Sequence, residues 1–206
     1  MKRLTFVAAV VLLIGLGPSA LPARANLLFD LNQVGPNVVV TASGSLSLFL
    51  DHVQNEGQLG ASPGLRADLG DIFVGPTTNA EDAWGAYRGT TNSFGPGGHL
   101  IGLPSHVAGP DTVGILVDEV YPYAGVYLPS GYQDFTMLSS TDTYDNVSLT
   151  DPINGLGFTP GTYIFASDYD IVTVHVAPEP ATLTLLGLAA AGLFGYRRPR
   201  ERTSLA

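Results

Sequence analysis

The sequence predicts an all-β domain, an antiparallel β-sandwich of jelly-roll or Ig-like type from Asn26 to Ala177, with one apolar helix before it and one after it. Three observations support this. No stretch inside those bounds keeps apolar residues at helical spacing. Gly, Pro, Asn, Asp, Ser and Thr break the chain at intervals of about eight to twelve residues, the rhythm of short strands and turns. Between the breaks, β-branched and aromatic residues gather in runs with a period of two.

Taken in order, the chain opens with Lys2 and Arg3, an apolar run from Leu4 to Leu16, Gly17-Pro18, and small residues around Ala23-Arg24-Ala25. That sequence of charge, apolar core and cleavage residues predicts a signal peptide over 1–25, cut after Ala25 and handled by the Sec export machinery. Val38-Val39-Val40-Thr41 reads as the first strand. Leu46, Leu48 and Leu50, alternating with Ser45, Ser47 and Phe49, read as its partner across a hairpin turning near Ser43-Gly44. Residues 55–67 read as a polar loop, Asp71-Ile72-Phe73-Val74 as a short strand, and Trp84 to Tyr87 as an edge strand. Gly95-Pro96-Gly97-Gly98 predicts a mobile connection, and Pro104 to Pro110 a Pro-rich corner. Val113 to Val117 is continuously apolar, which predicts a central strand buried on both faces. Val120 to Leu128, Val147 to Leu149, Leu156 to Phe158 and Tyr163 to Ala166 follow as strands, with a turn at Thr159-Pro160-Gly161-Thr162. The last strand is Ile171 to Val176, with Val172, Val174 and Val176 on one face and Ile171, Thr173 and His175 on the other.

Beyond Ala177 the chemistry changes. Pro178-Glu179-Pro180 is hostile to helix, Ala181 to Tyr196 carry no charge, and Arg197, Arg198, Arg200 and Arg202 follow. A helix over about 181–196 rises about 24 Å against a hydrocarbon core of roughly 30 Å, short but usable with snorkelling at its ends. Gly187, Ala191 and Gly195 form a small-residue stripe suited to close helix packing. The arginines predict an orientation with the basic end in the cytoplasm and Pro178 to Pro180 on the outer face of the membrane. Pro178, Glu179, Pro180, Ala181, Thr182 and Leu183, then a short span of Leu, Gly and Ala, then an Arg-rich terminus, closely resemble the PEP-CTERM sorting signal of Gram-negative bacteria. That resemblance implies recognition by an exosortase, which separates the body from the anchor at the Pro-Glu-Pro region. It makes 178–206 a sorting signal and leaves 26–177 as the exported part. The segments Leu128 to Tyr132 and Gly157 to Phe165 also look like the end of a small ectodomain type that precedes such signals, one that brings no assigned activity.

Charge and cysteine usage narrow the function. The exported part carries two basic residues, Arg66 and Arg88, against sixteen acidic ones, a formal charge of −14, whereas the whole chain carries −9. Such a surface repels nucleic acid and anionic membranes. The chain has no cysteine, which excludes a thiol nucleophile, a disulfide framework and a zinc-thiolate site. No HExxH pattern is present, and His52, His99, His106 and His175 show no metal spacing. Short-spaced carboxylates, Asp68 with Asp71, Asp118 with Glu119, Asp142 with Asp145 and Asp168 with Asp170, resemble calcium-loop chemistry, although none follows the EF-hand pattern and turn capping explains them more simply. Trp84, Tyr87 and Arg88 suggest a sugar-stacking platform, with packing as the plainer alternative. Asn146-Val147-Ser148 is formally a glycosylation sequon.

The expectation is a non-enzymatic, exosortase-sorted cell-surface or matrix protein with no cofactor, linked to extracellular polysaccharide. The alternatives are a calcium-dependent adhesion or carbohydrate-binding module, and a secreted hydrolase that brings carboxylates or a Ser-His-Asp set together in a cleft.

Overall fold

The computed structural model describes residues 25–47, 64–76, 81–89, 91–98, 103–117 and 123–177. Among them are eleven strands and no helix: β1 (Ala25–Val34), β2 (Asn37–Gly44), β3 (Gly64–Arg66), β4 (Asp71–Val74), β5 (Glu81–Arg88), β6 (His106–Ala108), β7 (Val113–Val117), β8 (Tyr123–Pro129), β9 (Leu138–Tyr144), β10 (Gly161–Ala166) and β11 (Asp170–Ala177). The predicted signal peptide, apart from its last residue Ala25, and the predicted 181–196 span lie outside the described residues. Within them no helix is long and apolar enough to cross a membrane.

The all-β expectation holds, but the separate antiparallel sandwich gives way to one curled, mixed sheet in the order β3-β4-β7-β8-β5-β10-β11-β1-β2-β9-β6. Its two halves are joined by a single residue pair, Ala166 with Arg88 between β10 and β5. The sheet then folds over so that β4 faces β2 and β9. One pairing is parallel, β11 with β1, in the register Ala25 with Asp170 through to Asn32 with Ala177. The remaining pairs run antiparallel, so the sandwich reading fails on the continuity of the sheet and on the direction of this one pair.

The core explains why these runs are strands. Alternate residues point inward: Leu27, Phe29 and Leu31 on β1, Val38, Val40 and Ala42 on β2, and Val172, Val174 and Val176 on β11 are all buried. Each fully buried aliphatic side chain contributes about 1.5–3 kcal/mol of burial, which drives the closure. Around the β10 end, Phe94 stacks on Phe158 at 6.2 Å between centroids and meets Phe165 edge-on at 6.0 Å.

Several local expectations change. The first hairpin turns at Gly35-Pro36, between Val34 and Asn37, and β2 runs on through Ser43 to Gly44. A strand from Ala25 to Val34 was not anticipated, because its polar Asn26, Asp30, Asn32 and Gln33 dilute the apolar alternation. Leu46 and Ser47 are buried but lie outside any strand, as do Val147 to Leu149 and Leu156 to Phe158. β5 is interior, between β8 and β10, rather than an edge, and its register shifts between Trp84 and Tyr87. On β7 the expected burial on both faces holds except at Leu116, which is 36% exposed. The Gly-Pro-Gly-Gly connection packs against the 155–159 segment, where Thr159 N–H donates to the Phe94 carbonyl at 2.8 Å.

Candidate functional site: the strand that leads into the tail

β11 is the element that carries the chain out of the domain. Its valines at 172, 174 and 176 are buried, and it is held on both sides, by β10 in antiparallel and β1 in parallel register. A strand paired on both edges exposes no free hydrogen-bonding row, so its course is set by the fold up to its last residue. That residue is Ala177, opposite Asn32, with the Gly35-Pro36 turn just beyond on β1. Gly161, the first residue of β10, stands opposite Val176, and Tyr144, the last of β9, opposite Val38. The 145–160 connection therefore lies at the same end as the point of exit.

This end is built rigidly. Gln33 is buried, and its Nε2 donates to the Gly35, Asn37 and Val147 carbonyls at 2.8, 3.1 and 3.2 Å. Its Oε1 accepts from Leu149 N–H at 2.6 Å. One amide thus binds the β1–β2 hairpin to the 147–149 backbone, satisfying groups whose burial unpaired costs about 1–3 kcal/mol each. Between them runs an open groove of about 590 Å³ lined by Gln33, Pro36, Asn146, Val147, Ser148 and Thr150 among others. Asp151 caps the next turn, accepting from Ile153 N–H at 2.8 Å and Asn154 N–H at 3.1 Å, and these two bonds hold its carboxyl below the usual range.

Residues 176–198 match the PEP-CTERM protein-sorting motif. The match begins inside β11, at the buried Val176, and leaves no linker between sheet and motif. The motif implies an exosortase as the processing partner and export toward the cell surface through a membrane-anchored intermediate. No curated protein and no solved structure matches the chain. Pro178, Glu179, Pro180, Ala181 and Thr182, the arginines 197, 198, 200 and 202, and Ala23 of the expected cleavage site lie outside the described residues, while Ala25 of that expected site begins β1.

The other chemical candidates separate in space. Asp142 and Asp170 are fully buried inside the fold, whereas their respective predicted companions, Asp145 and Asp168, are exposed. Asp170 accepts from Ser47 N–H at 3.2 Å and from Ser47 Oγ at 3.3 Å. Burial pushes its carboxyl up, and the Ser47 bonds work against that shift. Tyr87, fully buried near Asp170, makes no hydrogen bond of regular geometry through its hydroxyl; burial first, and then the Asp170 charge, push its pKa up and so suppress its ionisation. Asp142 accepts from Gly75 N–H at 3.1 Å through Oδ1, while its Oδ2 and the Tyr144 hydroxyl are buried without partners. Burial raises the Asp142 carboxyl to about 6.

On the outer face His175 Nδ1 meets Asp30 Oδ1 at 2.8 Å, and Asn32 Nδ2 donates to Asp30 Oδ2 at 2.8 Å. His106 Nε2 stands 3.8 Å from Asp145 Oδ2, both well exposed. Exposed pairs of this kind contribute about 0–1 kcal/mol. His52, His99, Asp118 and Glu119 lie outside the described residues, and the Trp84 side chain is likewise outside them. Among the described residues no three His, Cys, Asp or Glu side chains gather as a metal site would require. Sequence reasoning missed Gln33 and Ser47, whose roles depend on partners 114 and 123 residues away.

Proposed function

We propose that this is an exported, exosortase-sorted surface or matrix protein whose domain acts by binding and spacing rather than by catalysis, in association with extracellular polysaccharide. The observation that carries the reading is the continuity of the sorting motif with β11: the domain is delivered as a rigid body attached directly to its processing site. A signal peptide over 1–25 and a membrane span over about 181–196 complete the scheme. The single-pass intermediate sits in the inner membrane with Arg197, Arg198, Arg200 and Arg202 on the cytoplasmic side. The acidic surface and the absence of lysine from the exported part favour hydrated neutral polymers or basic partners over nucleic acid. The calcium-dependent and hydrolytic alternatives draw less support, because the buried carboxylates point into the core and the groove at the exit is lined by amide, hydroxyl and backbone groups.

The test is the intact mass of the protein from membranes, surface and medium of its host. Exosortase-dependent loss of the Arg-rich end is expected, and replacing Pro178, Glu179 and Pro180 by alanine should leave an exported, unprocessed chain. Normal release of that variant would remove the sorting reading. Co-purification of the processed wild type with surface polysaccharide, lost after polysaccharide synthesis is blocked, is the outcome expected for the matrix role.

A further inference from the structure

The exit end of the domain carries exposed apolar and acidic side chains. Val34, beside the β1–β2 turn, is 57% exposed and Ile153, on the 145–160 connection at the same end, 72%; Asp145 and Asp151 are on that connection too, and no arginine is described at that end. The two arginines of the domain are elsewhere, Arg66 in register with Asp71 and Arg88 in register with Tyr123 and Ala166. The chain beyond Ala177 then sets a distance. Three residues separate it from the end of the Pro-Glu-Pro sequence, and fully extended they span at most about 11 Å. A protein interface covers about 800 Å² on each partner. Any enzyme that grips Pro178 to Pro180 therefore meets the folded domain at the hairpin end.

We propose that this end, comprising Val34, Gly35-Pro36 and the 146–153 segment, is a docking face for the processing enzyme, so that the folded domain and the motif are recognised together. This rests on the sorting function proposed above. The face fits a protein surface that offers an apolar contact to Val34 and Ile153 and basic groups to Asp145 and Asp151. An anionic lipid surface fits poorly, since the carboxylates at this end would be repelled by it. Parallel pairing is the structural cause: because β11 runs with β1, the exit falls beside the β1–β2 turn instead of at the opposite end, where Asp170 meets Ala25.

The experiment uses the full chain in its host and follows the ratio of unprocessed to processed protein over time. Val34→Asp and Ile153→Asp are made singly and together, and protease resistance of the exported domain confirms folding; the two sites lie on different elements, so one remains informative if the other misfolds. Processing is expected to slow about threefold for each and about tenfold for the pair. A ten-residue Gly-Ser spacer between Ala177 and Pro178 should slow the wild type and abolish the difference between it and the double variant. Processing of the double variant at the wild-type rate in the chain without the spacer would overturn the proposal. So would unchanged processing combined with loss of membrane association in a strain lacking the enzyme, which would assign the face to lipid. The Pro178, Glu179 and Pro180 alanine variant runs alongside. If it is processed normally, the sorting reading itself has failed; if it is blocked while the face variants behave as wild type, only the docking face has.

Discussion

Asp170 and Asp142 are both inaccessible to solvent, yet the fold treats them differently. Asp170 stands at the start of β11 and receives the Ser47 backbone and hydroxyl, which ties the segment after β2 to the far end of the parallel pair. Asp142 stands mid-way along β9 and receives one backbone N–H, from Gly75, while its second oxygen and the neighbouring Tyr144 hydroxyl go unpaired. The first carboxylate is a fastening with several strings. The second closes the curled sheet, where the end of β4 reaches β9, at an electrostatic cost. The comparison teaches that burial of a charge says little by itself; the number of donors brought to it decides whether it stabilises the fold.

The largest effect should come from breaking the closure at its backbone. Gly75 has φ of +112°, and a Cβ there would stand 2.0 Å from the Asp111 carbonyl oxygen. Gly75→Ala should cost roughly 4 kcal/mol, read as a fall in the denaturant midpoint of the exported protein; a loss below about 1 kcal/mol would mean that the closure is soft.

Next in size is Asp170→Ala, which strands the buried Ser47 N–H and hydroxyl. A loss of about 2–3 kcal/mol is expected, and an unchanged midpoint would deny the fastening role.

Asp142→Asn should act in the opposite direction. The folded carboxyl, at about 6, lies above its unfolded value of 3.8, so its contribution is intact below the unfolded value and is lost as pH rises through about 6. The amide keeps an oxygen for Gly75 and has no such titration. The variant should gain roughly 2–3 kcal/mol over the wild type at pH 8 and little at pH 3.5, measured by urea unfolding across that range. A gain independent of pH would place its cause elsewhere.

The smallest effect is Tyr144→Phe. Removing a buried hydroxyl without a partner should change stability by less than about 1 kcal/mol, with the gain rather than the loss expected. A substantial loss would show that the hydroxyl supports Asp142 after all.

Legibility in the sequence followed the same divide. β2, β4, β7, β8, β10 and β11 were visible because their inward residues are aliphatic or aromatic and recur with a period of two. β9, Leu138-Ser-Ser-Thr-Asp-Thr-Tyr144, was not, because its inward row is Leu138, Ser140, Asp142 and Tyr144, and polar residues in series read as a loop. Those polar residues are there for the closure: the Ser140 hydroxyl donates to the Asp111 carbonyl, and Ser139 N–H donates to the Asp111 carboxylate at 2.8 Å. Gln33 escaped notice for a related reason, since an isolated glutamine carries no sign that it will join two turns 114 residues apart.

The sequence by itself determined the local and compositional properties. It set the all-β class, the valine row of β11, the sorting motif at 176–198 and a formal charge of −14 over residues 26–177, because each depends on neighbouring residues or on counts. Only the tertiary structure decided that β1 and β11 pair in parallel, that the sheet curls instead of splitting in two, and that the chain leaves beside the β1–β2 turn. Those outcomes depend on which distant strands meet and in which direction, and the period-two pattern that marks a strand is the same whichever neighbour it finds and whichever way that neighbour runs.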